Sequence, residues 1–159
     1  MGSWRWCALL GATMALAGCS PRPQTECPVT APNGSLPPGE QAASAEYLGS
    51  GKLWTVLWPE GQVVFKPGGP GEIRPDGSLA MKFPFWRGEG VVGELHISGE
   101  RLDGEAPDMM GEITEGYGES GFQATALVFP SAGCWQVTAT VGDDTLMFTT
   151  LVLVSDAGD

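Results

Sequence analysis

The sequence predicts an all-β fold, a sandwich or barrel of short strands. Three observations carry this. Short apolar runs alternate with turns built from glycine and proline, of which the chain has 24 and 13. Valine, threonine and aromatic residues dominate those runs, and they suit a pleated, half-buried surface. No window of about twelve residues or more carries the three-to-four spacing of an amphipathic helix.

The runs follow in order. KLWTVLW, residues 52–58, ends at Pro59-Glu60-Gly61. Its alternation groups Trp54 with Val56 and Trp58, so the two tryptophans are expected in the core. QVVFKP ends at Gly68-Gly69-Pro70-Gly71, and IRPDG has Pro75 and Gly77 where a turn needs them. SLAMKFPFW, VVGELHISG and FQATALVFP read as further strands. In CWQVTATV, Trp135, Val137, Ala139 and Val141 share one face, while Gln136, Thr138 and Thr140 share the other. One face is therefore buried and one wet. Gly142-Asp143-Asp144 turns the chain, and TLMFTTLVLV returns as the second strand of a hairpin, apolar on both faces after Leu151. Cys134 falls on the polar face, so a partner for it is expected outside the core or at the end of the fold.

The N-terminal residues have a different logic. Arg5 precedes an apolar run over residues 7–17, the layout of a secretory signal peptide. The run is shorter than the ~20 residues that span a bilayer. It leads into Leu16-Ala17-Gly18-Cys19, which resembles the lipobox of bacterial lipoproteins. The resemblance implies that residues 1–18 are removed, that the Cys19 thiol carries a diacylglyceryl group, and that its new amine is acylated. Two or three chains anchor a protein stably where one is marginal. The expected location is a bacterial membrane, with the protein facing outside the cytoplasm at the cell surface or in the periplasm. Residues 19–44 hold the lipidated cysteine and a stretch rich in proline, read as a tether. Residues 45–159 form the domain.

Composition narrows the partners. A net charge of −11 excludes nucleic acid, whose phosphates need lysine and arginine. It also leaves lipid, rather than a basic patch, to hold the membrane. Of the four cysteines, Cys7 leaves with the leader and Cys19 carries lipid. Cys27 and Cys134 remain, and an exported domain pairs such thiols. Two free thiols in a reducing habitat are the alternative. If Cys27 is bridged, the domain sits close to the membrane.

GCWQVTATVGDDTLMFTTLVLV is similar to the closing strand pair of immunoglobulin-like domains in bacterial surface proteins. Residues 52–154 resemble a group of exported bacterial lipoproteins without assigned activity, through RPDGSLAMKFPFWRG, GYGESGFQ and FPSAGCWQVT. The resemblance implies an immunoglobulin-like β-sandwich and no catalytic residues. The usual core disulfide of antibody-type domains is not expected, because Cys27 sits in the tether.

A search for chemistry yields little. His96 is the single histidine and shares a face with Glu94 and Ser98, opposite Leu95 and Ile97. A triad of His96, Ser98 and Asp103 lacks a nucleophile elbow. Asp103, Glu105, Asp108, Glu112, Glu115 and Glu119 supply carboxylates for a small lipid-anchored hydrolase, the alternative function; as solvated loop charges they do nothing of the kind. Zinc is not expected without a CxxC pair, and no D-x-D-x-D-G loop supports calcium at Asp143-Asp144 or 112–119. Met109-Met110 offer soft donors for copper or, more simply, a packing element. GYGESGF opens no helix, so it is a turn rather than a phosphate loop. The sequence thus predicts no cofactor and no metal. Trp135 belongs to the core. Trp86, near a strand end, and Tyr117, in the glycine-rich loop, are the candidate ligand contacts. The expected function is a non-catalytic binding or structural module, with an envelope protein or a glycan as partner.

Overall fold

The computed structural model describes residues 26–41 and 46–156. The predicted signal segment, the lipobox-like residues 16–19 and the predicted lipidation site Cys19 lie outside the described residues. Ten strands follow one another: β1 (Tyr47–Ser50), β2 (Leu53–Val56), β3 (Gln62–Phe65), β4 (Glu72–Ile73), β5 (Leu79–Arg87), β6 (His96–Arg101), β7 (Met109–Ile113), β8 (Gly121–Phe129), β9 (Gly133–Val141) and β10 (Asp144–Val154). The all-β class is as the sequence predicts. Among the described residues no helix is long and apolar enough to cross a membrane.

Hydrogen bonding joins the strands in a single path, β1-β2-β5-β8-β7-β6-β9-β10-β3, with β4 beside β5. All pairs are antiparallel except β10 with β3. The sheet curls until β1 and β2 lie against β10. This path does not itself divide into the two stacked sheets of an immunoglobulin-like β-sandwich. Inside the curl sit Leu53, Phe65, Phe85, Leu127, Phe129, Trp135, Val137, Phe148 and Val152, all buried. Phe83 links the aromatic part of this core. Its ring centroid lies 4.5 Å from Trp58, 5.4 Å from Phe85 and 5.3 Å from Phe148.

The predicted hairpin is present as β9 and β10, in register from Val141↔Asp144 to Gly133↔Val152. Its inward face is the predicted one. Past Leu151, only Val152 is buried; Leu153 and Val154 are exposed. The strand read from VVGELHISG begins only at His96.

The tryptophan expectation is reversed for Trp54 in β2. Leu53, Thr55 and Leu57 face the core, while Trp54 and Trp58 are only half-buried on the other parity. The segment is apolar on both faces, so alternation alone does not choose. The Trp54 ring lies against Gly49, where a Cβ would come within 2.3 Å of Cδ1, and its Nε1 donates to Ser35 Oγ. The Trp54 ring thus packs outside, over glycine, while half-buried Trp58 packs against Phe83 and Phe129 of the core.

The edges where β1 meets β10 are sealed by the chain that precedes β1. Cys27 is disulfide-bonded to Cys134, with Cα atoms 5.4 Å apart. Thr30 N donates to Thr149 O, and Thr149 N donates to Thr30 Oγ1. Three residues on, Asn33 and Gly34 both donate backbone N–H groups to Tyr47 O. The Asn33 side chain donates to Gly49 O and accepts from Gly49 N. At the far end of the seam, Lys52 N donates to Asp144 Oδ1. Cys134 has the polar-face parity expected of it, but the bridged segment covers it, so it is buried rather than wet.

Candidate functional site

The outer face of β5 and β8 is the place where the sequence concentrates small and aromatic residues. In register, Lys82 opposes Ala126, Pro84 opposes Ala124 and Trp86 opposes Phe122. All six alternate with core residues and therefore point away from the core. Pro84, Ala124 and Ala126 make a low floor. The glycine-rich connection from β7 to β8, residues 114–120, rises beside it and carries Tyr117. The result is a hollow of about 660 Å³ with Ile113, Tyr117 and Phe122 on its walls. Those three side chains are 40%, 44% and 44% exposed, an apolar surface that the domain itself does not cover.

Trp86 and Tyr117, the two predicted ligand contacts, form no ring pair with each other. Phe122 joins them. Its ring centroid lies 5.5 Å from Trp86 and 5.6 Å from Tyr117, both edge-on, and Trp86 continues to Tyr47 at 5.8 Å. Sequence reasoning missed Phe122. The available signal was its place as the first side chain after a glycine-rich turn, on the parity opposite to Gln123 and Thr125.

One rim of the hollow is charged and locked. Arg74 donates to both carboxylate oxygens of Glu112 at 2.9 Å. The Arg74 hydrogen bond holds the Glu112 carboxyl below its ordinary range. Such a group stays ionised near neutrality and does not serve as a general acid.

A second cavity, of about 440 Å³, adjoins the hollow and shares Ile113, Thr114 and Tyr117 with it. It exists because β6 and β7 part company. They pair only through Ser98↔Met110 and Gly99↔Met109. The same register, continued, would set Leu95 opposite Ile113 and Glu94 opposite Thr114, but there the strands diverge. At Gly111 the strands are still tight, since a Cβ there would lie 2.4 Å from Ile97 Cβ. Beyond it, residues 93–95 and 113–116 become the two walls of the cavity.

Arg87, at the end of β5, reaches into this split. It shares parity with Phe83 and Phe85 and is only 7% exposed. Its Nη2 donates to Gly93 O at 2.7 Å and to Val91 O at 3.5 Å. Its buried Nε has no hydrogen-bond partner. No described carboxylate lies within ion-pair distance of the guanidinium. Gln123 lines the same cavity, its amide spent on carbonyls of the glycine-rich turn, chiefly Gly118 O at 2.9 Å.

No family model, no curated protein and no solved structure matches this chain. The functional reading therefore rests on geometry.

The remaining sequence candidates are dispersed. His96 is exposed on β6, as its parity predicts. Ser98 shares a shallow hollow with Glu100 and Asp108, away from Asp103. Asp103 is instead bonded to Arg101 Nε at 2.6 Å, so the three triad candidates are not assembled. Glu105, Asp108, Glu115 and Glu119 are exposed. Met109 is in the core while Met110 is exposed on the opposite face, so the two thioethers cannot share one soft metal. Among the described residues no three His, Cys, Asp or Glu side chains converge as metal donors.

Proposed function

We propose that the chain is a lipid-anchored, extracytoplasmic binding module with no catalytic role, held to its membrane through acylated Cys19. The observation that carries the binding reading is the hollow over β5 and β8, walled by Ile113, Tyr117 and Phe122. A concave, mainly apolar surface with a few polar groups at its margin is what a ligand site requires. Exposed aromatic rings suit a protein partner's side chains or the faces of a sugar. The lipobox-like LAGC supports the anchor. The pairing of Glu112 with Arg74 weighs against a hydrolase that draws on this carboxylate.

Two measurements test the proposal. Wild-type protein is expected in the membrane pellet after a high-salt wash and in the supernatant after detergent, while Cys19→Ser is not lipidated and washes off. Release of the wild type by salt alone refutes the anchor. For the site, a component of the envelope fraction is expected to be retained by immobilised wild type and lost with Tyr117→Ala/Phe122→Ala. Equal retention by both removes the hollow from consideration.

A further inference from the structure

The split between β6 and β7 has the features of a built site rather than of a packing fault. A ladder that opens leaves backbone groups on both walls without their strand partners. By alternation from the Gly99↔Met109 pair, Leu95 on one side and Ile113 on the other, beyond the last paired residues, turn their N–H and C=O groups toward the gap. Beneath the gap lies Arg87, more than nine-tenths buried, with no described carboxylate within ion-pair distance of its guanidinium. A buried cation calls for an anion, and the planar fork of arginine matches a carboxylate best. The mouth has the opposite sign, with Glu94, Glu115 and Glu119 around it. An anion alone would be repelled there. A ligand that is negative at its inner end and rich in donors toward its outer end fits both.

We propose that this split receives the C-terminal end of an extended peptide, its free carboxylate paired with Arg87 and its N–H or ammonium groups turned to the glutamates at the mouth. The peptide backbone would use the unpaired edges of β6 and β7, a form of strand addition. A side chain of the peptide would lie under Tyr117, where the cavity joins the apolar hollow. The volume of about 440 Å³ suits a few residues rather than a folded partner. This inference rests on the binding-module reading and names its ligand class.

The test uses the full chain in detergent micelles and isothermal titration calorimetry with the tripeptide Ala-Leu-Ala, its C-terminal amide and inorganic phosphate, each corrected for empty micelles. The free acid is expected to bind, and the amide at least about tenfold more weakly, the factor set by ~1.4 kcal/mol of lost charge pairing. Arg87→Lys keeps the charge but loses the fork, and is expected to weaken the acid without changing the amide. Tyr117→Ala, at an exposed position, is expected to weaken acid and amide together. If Arg87→Lys does not fold, the acid-to-amide ratio on wild type decides. Equal binding of acid and amide overturns the carboxylate assignment and leaves the module reading standing. No binding of either peptide overturns the peptide proposal, while retention of an envelope component in the test above still judges the module by itself. Phosphate that displaces the tripeptide at equal concentration shows a general oxyanion site and also overturns the peptide proposal.

Discussion

The seam between β1 and β10 and the split between β6 and β7 pose the same problem and solve it differently. In both places strand edges approach without completing a ladder. At the seam, the segment around Thr30 and Asn33 supplies the missing donors and acceptors, and Cys27–Cys134 holds that segment down. At the split, one arginine supplies two hydrogen bonds from Nη2 and keeps a buried Nε unsatisfied. An unsatisfied buried donor costs about 1–3 kcal/mol, more when charged. The domain seals one open edge with backbone, side chains and a covalent bond and leaves the other half-made, which is the contrast the proposed peptide site rests on.

The largest expected effect comes from opening the seam. The disulfide closes a sequence separation of 107 residues. Replacing both cysteines, Cys27→Ser with Cys134→Ser, is expected to lower stability by about 3–5 kcal/mol, since a loop of that size loses much entropy when closed. Urea unfolding followed by tryptophan fluorescence reads it. A loss below about 1 kcal/mol would mean that the hydrogen bonds of Thr30 and Asn33 hold the segment without the bridge, and the contrast between the two edges would weaken.

Next comes a variant that acts on the split. A Cβ at position 111 would lie 2.4 Å from Ile97 Cβ, an atom close to the backbone that cannot swing away. Gly111→Ala is expected to push β7 off β6 and cost about 1–3 kcal/mol, the usual range for overpacking. Hydrogen exchange should then rise at Gly99 and Met109, the paired residues whose amides face the neighbouring strand. Unchanged exchange there would show that the strands have room to absorb a methyl group, and the split would be softer than described.

Much of this comparison was legible in the sequence, and the illegible parts have physical reasons. The β9–β10 hairpin was readable because CWQVTATV keeps strict alternation over its whole length. The pairing of Cys27 with Cys134 was readable from export and elimination. The Trp54 orientation was not, because Leu53, Trp54, Val56, Leu57 and Trp58 offer apolar residues on both faces. Strands β1, β4 and β7 were missed because YLGS, EI and MMGEI are too short or too mixed to show a period. At the site, Tyr117 is exposed and Trp86 only half-buried, while Phe122, which connects them, looked like the start of a core strand. Arg87 was not singled out. Its odd-numbered parity with Phe83 and Phe85 already placed it inside. The split itself lies beyond sequence reasoning, since divergence of two strands depends on what each packs against.

Arg87 also gives a sharper comparison with the seam. Arg87→Met replaces an unpaired buried cation with an apolar chain of similar length. Removing such a charge relieves its desolvation but frees Gly93 O, so the net change is expected to stay within about 1 kcal/mol. Denaturant unfolding checks it. A loss of several kcal/mol would assign Arg87 a structural role like that of Asn33 and erase the distinction drawn between the edges.

The smallest effect separates the two regions by pH. Asp103 lies beside the seam. Burial pushes its carboxyl up, but the Arg101 hydrogen bond, the Cys134 N–H and the Arg101 charge together bring it below the ordinary value. Glu112, beside the hollow, is lowered by Arg74. A carboxyl lowered in the folded state adds stability that is complete above its unfolded pKa, ~4, and that disappears as pH falls through the folded pKa. Both pairs therefore weaken in the acid range below about pH 4, and neither contributes to any change between pH 6 and 8. The two differ in exposure. The Asp103 side chain is 33% exposed and Glu112 54%, so water screens the second more. Asp103→Asn is expected to flatten the acid branch of the stability curve by less than about 1 kcal/mol, and Glu112→Gln by less again. Thermal midpoints from pH 2 to 7 give the ordering. If Glu112→Gln flattens the curve more than Asp103→Asn, the charged rim of the hollow contributes more to holding the fold together than the ion pair beside the bridge, and the division between a sealed edge and a working edge is drawn in the wrong place.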